Sequence, residues 1–174
     1  MLLRAKTKGK QIFNGEKWTG LKTYGDNYCE LMRDEAMIDV CAAVIVNPKE
    51  KLVFLAKRPK KSHLAGFWEF PGGKMEKGES PKECLVRELK EELDVSAKVG
   101  SFICESVYHY SEKTVRLLAY WVMIDEKPKL KEHDSFMWVK VEEFDFASLA
   151  PADRIVAKEV VNLLNREGGA PLGL

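Results

Sequence analysis

Gly72-Gly73-Lys74-Met75-Glu76-Lys77-Gly78-Glu79, then after seven residues Arg87-Glu88-Leu89-Lys90-Glu91-Glu92, places a glycine turn ahead of a strongly acidic segment. The residues between are a helix start. Ser80 can accept from a backbone N–H, Pro81 suits the first helical position, and Glu83 completes a capping box. Cys84, Leu85, Leu89 and Leu93 then recur at helical spacing as a buried stripe. Glu88, Glu91 and Glu92 stand at i, i+3 and i+4 and share a face, where each like-charge pair costs about 0.2–0.5 kcal/mol. Such a face is either solvated, with Lys82 and Lys90 neutralising part of it, or it holds a cation. Oxygen ligands at this spacing suit Mg²⁺, which keeps several waters and shares its shell with substrate phosphates.

Outward from the helix, the chain alternates between β-prone and helical stretches. Ile38–Asn47 is apolar and β-rich, and Asn47-Pro48-Lys49-Glu50 turns it into a second strand, Lys51–Lys57. Downstream, Lys98–Tyr110 and Thr114–Asp125 are long β-prone segments joined through Ser111-Glu112-Lys113, and Phe136–Val141 is a short strand. Asp153–Arg166 carries Val156, Val160, Leu163 and Leu164 at helical spacing and closes before Gly168-Gly169. This order predicts an α/β (α+β) sandwich with a mixed sheet between helices.

Composition agrees with one globular domain. A chain of 174 residues can bury a sizeable core, and a net charge of +1 gives no electrostatic reason to expect nucleic acid as the main partner. Cys29, Cys41, Cys84 and Cys104 lack paired metal spacing and read as reduced thiols of a cytoplasmic protein. No apolar leader or bilayer-length apolar run is present, so no membrane partner is expected. Residues 1–37 stand apart as an extension: up to Lys22 they hold six Lys/Arg against Glu16 alone. Within it Ile12-Phe13-Asn14-Gly15-Glu16-Lys17-Trp18 carries a hairpin signal. Padding of the fold is the preferred role; a dimer contact or a nucleic-acid tail are the others. Residues 167–174 read as a tail.

Gly73, five residues, Glu79, seven residues and Arg87-Glu88-Leu89-x-Glu91-Glu92 together resemble the Nudix box. One position departs. The box usually has glycine where this chain has Asp94, and aspartate is among the few residues that tolerate the left-handed turn there. Trp68-Glu69-Phe70-Pro71-Gly72-Gly73-Lys74 resembles the entry to the box in MutT-type nucleoside triphosphate pyrophosphohydrolases. Phe54-Leu55-Ala56-Lys57-Arg58-Pro59 is similar to their second strand, whose arginine reaches the substrate. Leu149-Ala150-Pro151-Ala152-Asp153 is similar to the loop that presents a polar side chain to the base, asparagine in MutT proteins and aspartate in related pyrimidine and oxidised-nucleotide hydrolases.

The resemblance implies a Nudix-type α/β/α sandwich over residues 38–166. It implies Mg²⁺-dependent hydrolysis, with Mn²⁺ as a substitute ion, of a nucleoside triphosphate to monophosphate and pyrophosphate. The favoured purpose is sanitation of oxidised nucleotides of the 8-oxo-dGTP kind. CTP or 5-methyl-dCTP hydrolysis, or action on dinucleoside polyphosphates or nucleotide sugars, are alternatives, and a non-catalytic nucleotide-binding regulator is an alternative of another class. By the same resemblance Glu88 and Glu92 are the leading metal ligands, with Glu91 close by and the Gly72 carbonyl completing the shell. Glu88 is also a candidate for taking the water's proton. Glu132 matches a family glutamate that serves as ligand or base; by itself it is a surface loop carboxylate. Arg87 and Glu79 are expected to form an orienting ion pair. Arg58, Phe70, Tyr108, Tyr110, Lys113 and Asp153 are the candidates for the substrate end, although Phe70 is equally a core aromatic, and His63 is more simply a solvated loop residue. An ionised Asp153 would accept from a base, and a protonated one could also donate. The partner is thus a nucleoside triphosphate, and the protein is a monomer or homodimer. Neither a P-loop spacing nor a helix-turn-helix or RNP-like signature is present.

Overall fold

The computed structural model describes residues 37–47 and 50–166. The basic extension with its Asn14-Gly15 hairpin signal, Cys29, the Pro48-Lys49 corner and the tail 167–174 lie outside the described residues.

Strand β1 (Ile38–Asn47) is apolar along most of its length because both of its faces are covered. Ala42, Val44 and Val46 enter one hydrophobic cluster, and Cys41, Ala43 and Ile45 enter the other. The second cluster is closed by helix α1 (Pro81–Leu93) through Cys84, Leu85, Leu89 and Leu93. The first is closed by helix α2 (Asp153–Arg166) through Val156, Ala157, Val160 and Leu164. Leu85, Leu89 and Leu93 are fully buried, each worth about 1.5–3 kcal/mol relative to exposure. A sheet sandwiched between two helices follows, as the alternation of elements predicts.

Strands β2 (Leu52–Lys57), β3 (Trp68–Glu69), β4 (Ala97–His109), β5 (Thr114–Ile124) and β6 (Ser135–Lys140) complete the sheet. Its order is β3-β2-β1-β5-β4, with β6 also on β2. The β1–β5 pair is parallel from Ile38↔Val115 to Ile45↔Val122, and the other pairs are antiparallel, so the sheet is mixed. The short β3 was not expected from its sequence. A single 3₁₀ turn, Val141–Glu143, follows β6. Among the described residues no helix is long and apolar enough to cross a membrane.

One irregularity positions everything that follows. β2 pairs with β1 only at Val46↔Val53 and Asn47↔Leu52, then runs with β6 from Leu52↔Lys140 to Lys57↔Ser135. The other end of β1 therefore needs a different partner for its backbone groups. The segment leading into α1 supplies it: Cys41 N–H donates to Gly73 O and Ala43 N–H to Pro71 O, both at 2.8 Å, while Met75 N–H donates to Asp39 O at 3.0 Å.

At the start of α1, Ser80 and Glu83 form the expected capping box, with Ser80 N–H 2.8 Å from Glu83 Oε2. The helix ends on Asp94, at φ 55° in the left-handed region. Its carboxylate gathers Lys90 at 2.8 Å, Lys131 at 3.3 Å and Lys129 at 3.5 Å, and Lys90 and Lys131 hold it down to about 2. The end of the helix is also stitched to the β5–β6 loop, since Lys129 N–H donates to Leu93 O and Lys131 N–H to Glu92 O. Both carbonyls belong to the last turn, which has no donors of its own to offer them.

Candidate active site

The β1 N-terminal half, the Pro71–Lys74 turn, α1, the β2–β3 loop, the β5–β6 loop and the start of α2 enclose one cleft of about 400 Å³. Its floor is set by two glycines. A side chain at Gly72, whose φ is 143°, would put its Cβ 2.2 Å from Cys41 O, and one at Gly73 would sit 2.2 Å from the Glu88 carboxylate. The turn lies so close to β1 that only glycine fits at position 72, while a side chain at position 73 would have to displace the Glu88 carboxylate.

Arg87 organises the helix side. It grips Glu79 with two bonds, Nε to Oε1 at 2.9 Å and Nη2 to Oε2 at 3.0 Å, and reaches Glu88 Oε1 at 2.8 Å and the Lys74 carbonyl at 3.2 Å. The fork geometry suits guanidinium and carboxylate, and it holds Glu79 down to about 2. Glu88 and Glu92 both face the cleft, as does the exposed Glu132 from the β5–β6 loop. Glu92 is 8% exposed, and Gly72 N–H donates to its Oε2 at 3.0 Å. Burial pushes its carboxyl up to about 8; nearby His133 opposes the rise, and Glu69 and Glu88 add to it.

Glu91 stands apart from its neighbours. Its side chain is 55% exposed, turned to Arg87 at 3.4 Å, and it does not line the cleft. Successive helix positions are separated by about 100°, so Glu91 and Glu92 flank Glu88 on opposite sides and only Glu92 turns inward. The shared acidic face read from i, i+3 and i+4 is thus divided.

The opposite end of the cleft is built around Asp153. The Trp68 N–H donates to Ser148 O and Ala150 N–H to Trp68 O, which brings the chain ahead of α2 alongside β3. Phe70 N–H then donates to Asp153 Oδ1 at 3.0 Å. Asp153 is 6% exposed, and burial raises its carboxyl to about 8 with a further push from Glu69. Phe70 lines the cleft and also belongs to the core, so both readings of it describe one position. Tyr110 and Lys113 line the cleft as well; Tyr108 does not, and instead backs Tyr110 at a ring distance of 4.7 Å. His63 packs edge-on against Tyr110 at 5.4 Å and also lines the cleft. Arg58 pairs with Glu69 and donates from Nε to His63 O at 2.7 Å.

Two cleft residues, Glu69 and His133, were not singled out by sequence. His133 Nε2 lies 3.1 Å from Glu69 Oε1 and 3.9 Å from Glu92 Oε1. The available signals were weak: a carboxylate between two aromatics, and a histidine beside Glu132.

Oxygen donors dominate the α1 end of the cleft, which suits a hard divalent cation, and positive charge there would relieve the crowding of Glu69, Glu88 and Glu92. Among the described residues, however, no three His, Cys, Asp or Glu groups are gathered closely enough to hold an ion as they stand. Glu88 is drawn to Arg87 and Glu92 to the Gly72 N–H. The fit is therefore one of chemistry and proximity within the cleft.

The NUDIX domain profile matches residues 37–162. Over 119 residues the chain is 41% identical to the CTP pyrophosphohydrolase of Escherichia coli (strain K12), covering 67% of this chain and 86% of that protein. It is 36% identical over 101 residues to the 8-oxo-dGTP diphosphatase of Proteus vulgaris, covering 58% and 88%. The crystal structure of the MutT protein from Methanosarcina mazei Go1 superposes with a TM-score of 0.68 at 26% identity, covering 78% of this chain and 99% of that one.

Proposed function

This chain belongs to the NUDIX family and is a Nudix pyrophosphohydrolase, and from that premise we propose that it converts a nucleoside triphosphate to the monophosphate and pyrophosphate. The observation that carries this reading is a single cleft with box carboxylates at one end and the buried Asp153 at the other. A polyphosphate and a base can be recognised in it together.

Family members use a divalent metal, and we assign Mg²⁺ here, with Mn²⁺ as substitute. Glu88, Glu92 and Glu132, with the Gly72 carbonyl, are the residues that would hold it. When bound, the ion supplies charge neutralisation on the phosphates and a lowered pKa for its water. Glu88 is the candidate to accept the attacking water's proton, held in place through Arg87 and Glu79. Glu91 is assigned to steadying Arg87 because it lies outside the cleft lining. Arg58 and Lys113 serve the sugar and phosphates, and Tyr110, backed by Tyr108, walls the base beside Phe70.

Asp153 selects the base. With Oδ1 taken by Phe70 N–H and its carboxyl raised to about 8, the residue keeps its proton at neutral pH and can donate to a base carbonyl. An 8-oxopurine, as in 8-oxo-dGTP, is the favoured substrate on the likeness to an 8-oxo-dGTP diphosphatase, since guanine and cytosine also offer a carbonyl to Asp153. The second reading, CTP or 5-methyl-dCTP, is supported by the 41% identity with a CTP pyrophosphohydrolase. The test is kcat/KM with pyrophosphate detection for 8-oxo-dGTP, 2-oxo-dATP, dGTP, CTP and 5-methyl-dCTP, with and without Mg²⁺. A preference of at least about tenfold for an oxidised purine, worth about 1.4 kcal/mol, supports sanitation. A preference for a cytidine nucleotide keeps the reaction and changes the base; no turnover of any triphosphate overturns the proposal.

A further inference from the structure

A line of polar contacts crosses the cleft from one end to the other. It starts at His63 O, which accepts from Arg58 Nε, and passes from Arg58 Nη1 to Glu69 Oε2. Glu69 Oε1 faces His133 Nε2 at 3.1 Å, and the same nitrogen lies 3.9 Å from Glu92 Oε1. The line ends where Glu92 Oε2 accepts from Gly72 N–H. Each of the two glutamates has one oxygen held by its own end of the cleft and the other turned to a shared imidazole.

His133 is poorly placed to follow either glutamate alone. Its side chain is only 3% exposed. The backbone is pinned on both sides of it, by Lys131 N–H to Glu92 O at 2.9 Å and by Asp134 N–H to Lys57 O at 3.1 Å. Its Nδ1 is buried and has no hydrogen-bond partner among the described residues, so the polar contacts of the ring all lie on its Nε2 edge. The Nε2 edge then bonds Glu69 at 3.1 Å and stands at ion-pair distance, 3.9 Å, from Glu92. A shift of Glu69 changes what Nε2 can give to Glu92, and a shift of Glu92 changes what it can give to Glu69.

We propose that His133 is a positioning residue that couples the Arg58–Glu69 pair at the nucleotide end to the Glu92 carboxylate at the metal end. This rests on the assignment of Glu92 as a metal ligand. Polar partners behind a ligating group commonly change metal affinity 10–100-fold when removed. The distinctive consequence here is that Glu69, which has no bond to Glu92, acts on the metal end through His133.

The test is a double-mutant cycle read by direct Mn²⁺ binding, from the electron paramagnetic resonance signal of the free ion, on the full chain without nucleotide. Wild type, E92Q, H133A, H133Q, E69Q and H133A/E69Q are compared, with thermal melts of each. E92Q is expected to weaken Mn²⁺ binding at least about tenfold, H133A about tenfold, and H133Q by less because its amide keeps an N–H donor. E69Q should weaken binding about threefold or more in the wild-type background and have no further effect beside H133A. An equal E69Q effect in both backgrounds would mean that its charge acts through space, and would overturn the coupling while leaving the ligand assignment intact. Unchanged Mn²⁺ affinity in H133A would overturn it too. An E92Q protein that binds Mn²⁺ as tightly as wild type would overturn the ligand assignment and the coupling with it. Should H133A fail to fold, H133L and H133L/E69Q, which also lack the N–H, close the same cycle.

Discussion

Replacing Gly73 with alanine separates the chemistry of this cleft from its stability. The new Cβ would fall 2.2 Å from the Glu88 carboxylate, and ordinary van der Waals contact begins at 3.4 Å, so one of the two must retreat by about 1.2 Å. The backbone cannot, because Gly73 O already accepts the Cys41 N–H at 2.8 Å. Glu88 must therefore move, and with it the contact to Arg87, itself gripped by Glu79. A misplacement of about 1 Å in a reacting group costs on the order of 100-fold in rate, or about 2.7 kcal/mol of transition-state stabilisation. Stability should change by less than about 1 kcal/mol, since the displaced carboxylate is partly solvated. Gly78→Ala is the opposite case. At φ 86° with nothing within 4 Å of its added Cβ, it should cost about 1–2 kcal/mol in backbone strain and leave kcat within about threefold. The assay is kcat/KM on the preferred triphosphate beside a thermal melt, where 1 kcal/mol appears as about 2–4 °C. A G73A enzyme that keeps its rate within threefold would refute the reasoning. So would one that loses rate and fold together.

Glu88→Gln should lower kcat by at least about 100-fold while changing nucleotide affinity only slightly, because an amide neither takes a proton nor binds the ion as a carboxylate does; equilibrium binding and single-turnover rates separate the two. Chelation with EDTA should abolish turnover reversibly. Added Mg²⁺ should raise the Tm of the wild type, and E92Q should lose that gain while its metal-free form melts no lower, since burial raises that carboxyl to about 8 and an amide in its place carries no charge to desolvate. Asp153 is raised from 3.8 to about 8, so the folded state holds a proton that the unfolded state has released across that window. Its contribution is fully present below pH 3.8 and lost as pH rises toward 8. Asp153→Asn should flatten the fall in urea-measured stability between pH 5 and 8, by up to about 1 kcal/mol per pH unit, and equal slopes in both proteins would contradict the burial argument.

The elements legible in the sequence are those whose cause is local. Ser80-Pro81-Lys82-Glu83 announces α1 because the cap is made by residues three apart, and β1 announces itself because burial on both faces leaves no polar position in its centre. Arg87 and Glu79, eight residues apart with a turn of helix between them, are still within reach of a motif. Glu69 and His133 are 64 residues apart and meet only because β3 and the β5–β6 loop are both carried by β2. No periodicity records such a meeting. The placement of Glu91 shows a subtler limit: spacing of three and four residues fixes neighbourhood on a helix, but which neighbour faces inward depends on where the sheet lies. Asp94 likewise reads as a tolerated exception to glycine, yet two of its three lysines come from a loop about 35 residues further along.

The departure of β2 from β1 has an architectural consequence. Because the Pro71–Gly73 turn takes its position from the backbone of Cys41 and Ala43, its placement owes nothing to the length of the segment that precedes it. The loop from Pro59 to Gly66, which brings His63 and Leu64 to the cleft, leaves β2 at Arg58 and returns at Phe67, whose carbonyl accepts the Arg58 N–H. It is a closed excursion. Insertions, deletions or recombination there would redraw that wall of the cleft while the carboxylates of α1 keep their coordinates. A one-residue insertion in β1 would do the reverse, shifting the backbone groups that hold the turn and the register of the strand's two buried faces. A scaffold divided in this way can diversify in what it recognises without having to reinvent how it cuts.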